Sequence, residues 1–239
     1  RKRLTALVEK YHLPFERFIP QGLPVEEPRP HDTLASENWN CVDSTSLNCQ
    51  LTWTEQADRM SIVNNQAKYI DPVSIDTYAR ADSDLASDDH YSQVAVIAQL
   101  TNAASGPIAR KDSTTTVTYY VGFLFGRVGP DEWHTYKFVS GVATEIGGAT
   151  TLEAVSGDVF RIECDGSTIV RKRNGTQQDS ATDTAITGNL RAGIFMNLDG
   201  KIVDNFEAAD LAAAAAFNLE RIERHTLRGH LRGVMRGTL

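Results

Sequence analysis

The residues of this chain whose types could do chemistry are few and scattered. The six histidines, His12, His31, His90, His134, His225 and His230, show no ligand spacing, so no metal cluster is expected. No Gly-x-Ser-x-Gly elbow, P-loop or His-Glu-x-x-His is present. Asp82, Asp84, Asp88 and Asp89 sit in one stretch whose pattern is an acidic loop, not a strand presenting paired carboxylates. Asp204 stands out in Val203-Asp-Asn-Phe-Glu207. Strand alternation groups Asp204 with Ile202 and Phe206, and Val203 with Asn205 and Glu207. An aspartate on an apolar face needs backbone N–H groups, an arginine or a calcium ion as partner.

The tryptophans are the candidate sugar-stacking residues. Trp53 lies in an alternating apolar run and reads as core. Trp133 follows the turn Gly129-Pro-Asp-Glu132 and is the glycan-binding candidate, with core packing as the other reading. Asn174-Gly-Thr176 matches a glycosylation acceptor and equally a hairpin turn. Cys41, Cys49 and Cys164 make an odd count without a CxxC, which argues against zinc. Cys41 and Cys49 could pair in an oxidising compartment, and the sequence leaves their disulfide state open. Cys164 falls in an alternating strand and reads as a small core residue.

The elements that must position these residues follow from the pattern of the chain. Its 239 residues, 41% hydrophobic, suffice for one large all-β domain or two small ones. No apolar run approaches the roughly 18 residues needed to span a membrane. The chain starts Arg-Lys-Arg-Leu-Thr-Ala-Leu, without a signal-peptide pattern or an initiator Met, so the expectation is that residue 1 is not the true start or that the chain was processed. Residues 1–12 have helical spacing in Leu4, Leu7, Val8 and Tyr11. Residues 19–30 hold four prolines and read as an extended linker. The expected division is an N-terminal arm at 1–30, a β domain at 31–211 and a C-terminal tail at 212–239.

From about Asp32 to Leu211 the pattern is β throughout, with short alternating runs between Gly, Asp, Asn and Ser turns. Candidate strands are Gln50–Thr54, Ser74–Arg80, Tyr91–Leu100, Thr115–Phe125, Thr135–Val139, Val159–Cys164, Ser167–Arg173, Arg191–Asn197 and Ile202–Ala208. Asn174-Gly175 and Asp165-Gly166 are the hairpin signals. Without βαβ alternation, the expected fold is an antiparallel sandwich or jelly roll. The alanine run in residues 209–219 favours a helix or a flexible bridge.

The last thirteen residues repeat: Leu227, Leu231, Met235 and Leu239 recur every fourth residue, each of the first three followed by an arginine (Arg228, Arg232, Arg236) and a glycine. Three glycines disfavour a helix by about 1 kcal/mol each. The leading expectation is an extended strand docking on another chain, with a disordered basic tail and a helix as alternatives. Charge is uneven. Residues 1–30 carry six Lys/Arg against four Asp/Glu, and residues 220–239 five Arg against two Glu. The total of −7 therefore leaves −12 on residues 31–219. A nucleic-acid binder needs a continuous basic surface, which this distribution excludes. Basic ends on an acidic body suit docking between chains.

Several stretches in order resemble a known family. They are Gly157-Asp-Val-Phe-Arg-Ile-Glu-Cys-Asp-Gly-Ser-Thr-Ile-Val170, Asn174-Gly175, Thr182-Asp-Thr-Ala-Ile-Thr-Gly188, Arg191-Ala-Gly-Ile-Phe195 and Val203-Asp-Asn-Phe-Glu-Ala208. Together with Ser87–Val96 they resemble a concanavalin A-like, laminin-G-like jelly roll over about residues 32–211. The resemblance implies an all-β, antiparallel jelly-roll sandwich carrying a helical, Pro-rich N-terminal arm and an extended C-terminal arm. It also implies a possible calcium ion near the Asp204 strand; no other cofactor is expected. Glycosidases of this class resemble each other in a Glu-x-Asp-x-x-Glu strand supplying two carboxylates. This chain lacks that run, so no enzyme activity is expected.

Such domains also resemble phage and bacterial surface proteins. The leading functional expectation is a structural virion protein, associated with a phage capsid or tail and held by its arms. Its partners would be copies of itself and other virion proteins, with Leu227, Arg228, Leu231, Arg232, Met235, Arg236 and Leu239 in the assembly contact. The alternative is a carbohydrate-binding module for cell-surface or host glycans, secreted or at the cell surface. Neither a nucleic acid nor a membrane is an expected partner.

Overall fold

The computed structural model describes residues 35–72, 75–98, 101–114, 116–197 and 201–211. Among them there is no helix; all regular structure is antiparallel β. Sheet A runs, in spatial order, β14 (Thr176–Thr182), β13 (Thr168–Arg173), β12 (Asp158–Asp165), β6 (His90–Ala98), β16 (Ile202–Asp210), β4 (Gln66–Tyr69) and β3 (Met60–Val63), with β1 (Ala35–Glu37) also pairing β16. Sheet B runs β10 (Val142–Glu145), β9 (Asp131–Val139), β8 (Tyr119–Phe125), β7 (Ala104–Lys111), β15 (Arg191–Met196), β5 (Thr77–Ala81) and β2 (Trp53–Glu55), with β11 (Thr150–Leu152) also on β9. The two sheets pack face to face as a jelly-roll sandwich. The expected arms, residues 1–30 and 212–239, and with them every assembly residue from Leu227 to Leu239, lie outside the described residues.

Alternation builds the core. In β12, Phe160, Ile162 and Cys164 are fully buried, while Arg161 and Glu163 point to the other face. Opposite them, β8 turns Tyr120, Gly122 and Leu124 inward. The main cluster is aromatic at its centre: Trp53 meets Phe206 edge-on at 4.9 Å and lies 5.8 Å from Trp39.

The turn chemistry works as its residues dictate. Arg173 pairs with Thr176 across Asn174-Gly175, both at positive φ (50° and 78°), as the type I′ turn of a two-residue hairpin requires. The Asn174 side chain is consumed by this corner. Its amide donates to Asp158 Oδ1 (2.7 Å) and its oxygen accepts from Val159 N–H (2.9 Å). The hairpin reading of Asn174-Gly-Thr176 is the one the geometry supports. Asp165 pairs with Thr168 around the second turn, where Gly166 has φ 53°.

Cys41 and Cys49 form a disulfide that closes the loop between β1 and β2, and Cys164 is free and buried. The loop also hangs on Glu37, whose carboxylate accepts the N–H groups of Trp39 (3.0 Å), Gln50 (2.8 Å) and Leu51 (2.8 Å). Residues 209–210 of the alanine-rich stretch belong to β16, not to a helix.

β16 corrects the face assignment made from alternation. A bulge between Asp204 and Glu207, with Asn205 at φ 50°, adds a residue to the strand. The bulge puts Val203 and Phe206 together in the core. Asp204 is then not on the apolar face at all.

Candidate functional site

The outer faces of the two sheets differ in kind. That of sheet A is charged and partly buried. The Arg161 guanidinium lies 3.3 Å from the Tyr91 ring centroid, and Glu163 takes ion pairs from Arg161 (2.7 Å) and Lys172 (2.8 Å). Such pairs are ordinary sheet-surface partners.

The outer face of sheet B is aromatic. Register pairs Tyr119 with Phe138, Val121 with Tyr136, Phe123 with His134, and Phe125 with Glu132 across β8 and β9. Farther over, Phe195 of β15 pairs with Gly106 on one side and Tyr78 of β5 on the other. Phe123 stacks at 5.3 Å on Tyr136, 5.5 Å on His134 and 5.6 Å on Phe195. Tyr119 meets Tyr78 edge-on at 5.3 Å and Phe138 at 4.8 Å. These rings form a third hydrophobic cluster, separate from the two clusters holding the sandwich core.

Access to this layer is graded. Tyr78, Ile108, Tyr119, Val121 and Phe195 are buried, whereas Phe123, Phe125, His134, Tyr136 and Phe138 are half-buried. At one end the chain after β7 folds over: Lys111 Nζ donates to the Thr114 (3.1 Å) and Thr116 (2.7 Å) carbonyls, and Arg80 donates to the Thr114 carbonyl (2.7 Å). Burial holds the Lys111 ammonium below its ordinary pKa, against the pull of Asp112.

A polar rim flanks the accessible rings. His134 places Nδ1 2.8 Å from Glu145 Oε1 and Nε2 3.2 Å from Glu132 Oε2. Arg127 pairs with Glu132 at 2.8 Å, and the Tyr136 hydroxyl lies 3.5 Å from Glu145. Glu145 reaches this spot because the hairpin at Ser140-Gly141, both at positive φ, returns β10 alongside Tyr136. Burial first, then Glu145, pushes the Tyr136 phenol above its ordinary pKa, so it stays a neutral hydroxyl. Half-buried rings offer an apolar floor for the apolar face of a sugar, and the carboxylates and imidazole accept or donate to hydroxyls.

The residues expected from sequence fall elsewhere. Trp133 is fully buried on the inner face of β9, edge-on to Phe160 at 4.9 Å. It cannot be a glycan platform. The strand begins at Asp131, two residues before it, so alternation turns Trp133 inward and His134 outward. Asp204 accepts from the Asn205 N–H (2.8 Å) and lies 3.5 Å from Gln66 Nε2. The apolar-face premise for a partner at Asp204 is gone. Among the described residues no three acidic, His or Cys side chains are grouped to hold a metal.

The acidic loop is a set of clamps. Asp82 accepts from Thr54 and Arg80, Asp84 pairs with Arg191 (2.6 Å), Asp88 takes Gly188 N–H (2.6 Å), and Asp89 takes Gly166 N–H (2.7 Å) and Arg110 (3.0 Å). Trp53 is buried, as its alternation implied.

Sequence reasoning missed Glu132, His134, Tyr136 and Glu145. Carrying the alternation of Thr135–Val139 back to Asp131 would have put Glu132, His134, Tyr136 and Phe138 on one face. Glu145 had no such signal, because β10 is short and exposed at all four residues.

No protein-family model matches the chain, and no curated protein does. Solved structures do match. Carbohydrate binding module CBM66 from Bacillus subtilis shares 13% identity at a TM-score of 0.51, covering 65% of this chain and 93% of that one. A prokaryotic β-1,3-1,4-glucanase (lichenase) from a mouse hindgut metagenome shares 8% at 0.51, covering 74% and 99%. The endo-β-1,3-glucanase of Pyrococcus furiosus shares 12% at 0.52, covering 74% and 94%. These likenesses establish the concanavalin A-like jelly-roll fold that the sequence resembles.

Proposed function

We propose that this domain is a carbohydrate-binding module that holds a glycan on the outer face of sheet B. The carrying observation is the half-buried row of Phe123, His134 and Tyr136, stacked at 5.3–5.5 Å and edged by Glu132 and Glu145. Sheet A offers no such row. The carbohydrate-binding and glucanase names of the fold neighbours supply the ligand class, and β-glucans are the first ligands to try. A secreted or cell-surface location accords with the Cys41–Cys49 disulfide.

Binding is preferred over hydrolysis. A glycosidase needs two carboxylates facing each other across the scissile bond. Glu132 and Glu145 instead converge on one imidazole, and Arg127 also occupies Glu132. Their closeness on the aromatic face still favours a glycosidase as the second reading. Incubation with laminarin and mixed-linkage β-glucan separates the two: retention without release of reducing ends supports the module, and turnover lost in Glu132→Gln supports the enzyme.

The virion role belongs with the two arms, which lie outside the described residues, and no feature of the described fold points to it. The tail contact at Leu227–Leu239 stands as a separate proposal about assembly.

A further inference from the structure

The geometry points to a second, independent site: a small cleft between the disulfide-closed loop and the bulge of β16, shaped for one neutral sugar residue. It holds about 160 Å³ and is lined by Ser36, Glu37, Asn38, Gln50, Asn205 and Glu207, with Phe206 at its base. That is well below the roughly 300–1,000 Å³ of a drug-sized pocket, which suits a single hexose ring. This proposal does not rest on sheet B binding glycan.

Two irregularities of the backbone make the cleft. The bulge, with Asn205 at φ 50°, turns the Asn205 side chain out of the pleat. Bulges re-aim side chains in this way beside functional sites. The other wall is the loop that the Cys41–Cys49 disulfide closes and Glu37 ties down through three backbone N–H groups. Both walls are thus fixed before any ligand arrives, which lowers the ordering cost of binding.

The unused hydrogen-bonding groups define the ligand. Asn38 Oδ1 accepts from Asn40 N–H (3.1 Å) and from Gln50 Nε2 (3.0 Å). That leaves Asn38 Nδ2 and Gln50 Oε1, together with both atoms of the Asn205 amide, without a hydrogen bond among the described residues. Asn38, Gln50 and Asn205 are all exposed at the rim. Both carboxylates are engaged: Glu37 by the backbone and Glu207 by the Tyr91 hydroxyl. The free amide groups are therefore neutral, the Asn38 and Asn205 nitrogens as donors and the Gln50 and Asn205 oxygens as acceptors. They match adjacent hydroxyls of a neutral sugar rather than a metal cation or a phosphate.

The test is a ¹H–¹⁵N NMR titration of the full chain with D-glucose, D-galactose, D-mannose and D-fructose separately, in the wild type and in Gln50→Ala/Asn205→Gly. Glycine at 205 keeps the positive φ and removes only the amide. At least one sugar is expected to shift the amides of residues 36–38, 50 and 205–207, with at least tenfold weaker binding in the variant. The same spectra report residues 132–136 separately, so a failure here is distinct from a failure of sheet B. If no sugar shifts the cleft amides, or the variant binds as the wild type does, the site is refuted.

Discussion

Phe123 of β8 and Phe195 of β15 stack at 5.6 Å although β7 runs between their strands. The intervening residue, paired with Phe195, is Gly106. A Cβ there would lie 2.1 Å from the Gly122 carbonyl oxygen and 2.8 Å from Phe123 Cα. The missing side chain thus lets the β7 and β8 backbones approach closely at this point.

Gly106→Ala is therefore expected to destabilise the domain by about 1–3 kcal/mol, the usual cost of overpacking. Gly148→Ala, with nothing within 4 Å of its Cβ, should stay within about 0.5 kcal/mol of the wild type. Urea denaturation midpoints check both. A Gly106→Ala variant as stable as the wild type would contradict the close approach.

His90 gives the fold a pH dependence. Its Nδ1 lies 2.9 Å from the Ser87 carbonyl oxygen, and its Nε2 accepts the Arg110 N–H at 2.9 Å. A carbonyl only accepts and an N–H only donates, so the ring is neutral with its proton on Nδ1. Burial, first among the causes, lowers its pKa below the usual 6.5. The unfolded chain then binds more protons below that value, so stability is full above about pH 6.5 and falls as pH drops. Replacement by asparagine, which cannot charge, should flatten the urea midpoint between pH 7 and 5. An unchanged slope would remove His90 as its source.

Reduction of Cys41–Cys49 frees a loop with a sequence separation of 8. The chain-entropy relation puts the loss at about 2.5 kcal/mol. A melting temperature that drops on adding reductant, with no drop in a Cys41→Ala/Cys49→Ala variant, is the expected result.

The tail proposal is tested by comparing the full chain with one ending at Leu211, whose N–H still reaches the Asp89 carbonyl at 2.8 Å. The shortened chain is expected to keep its melting temperature and to lose any oligomer seen by light scattering for the full chain. Equal mass distributions for the two would leave Leu227–Leu239 without an assembly role.

The fold was legible where alternation meets turn chemistry: Phe160, Ile162 and Cys164 alternate cleanly, and Asn174-Gly175 marks its hairpin. β7 was not, because Gly106 and Pro107 read as breakers. The β7–β8 ladder simply skips them, between the pairs Ser105 with Leu124 and Ile108 with Val121. β14 was missed because it is a polar, exposed edge without a hydrophobic period. The site was the least legible part. Its residues come together through cross-strand register, which no local pattern carries, and the one bulge in β16 reversed the reading of Asp204.

The central claim is that sheet B's outer face binds glycan, and isothermal titration against laminarin and mixed-linkage β-glucan tests it most directly. The comparison is wild type against His134→Ala and Glu145→Gln, changes on the rim that leave the core untouched. The wild type should bind at least one of the two, and both variants should bind at least tenfold more weakly at unchanged melting temperature. No heat of binding with either glucan, or equal affinity in all three proteins, would contradict it.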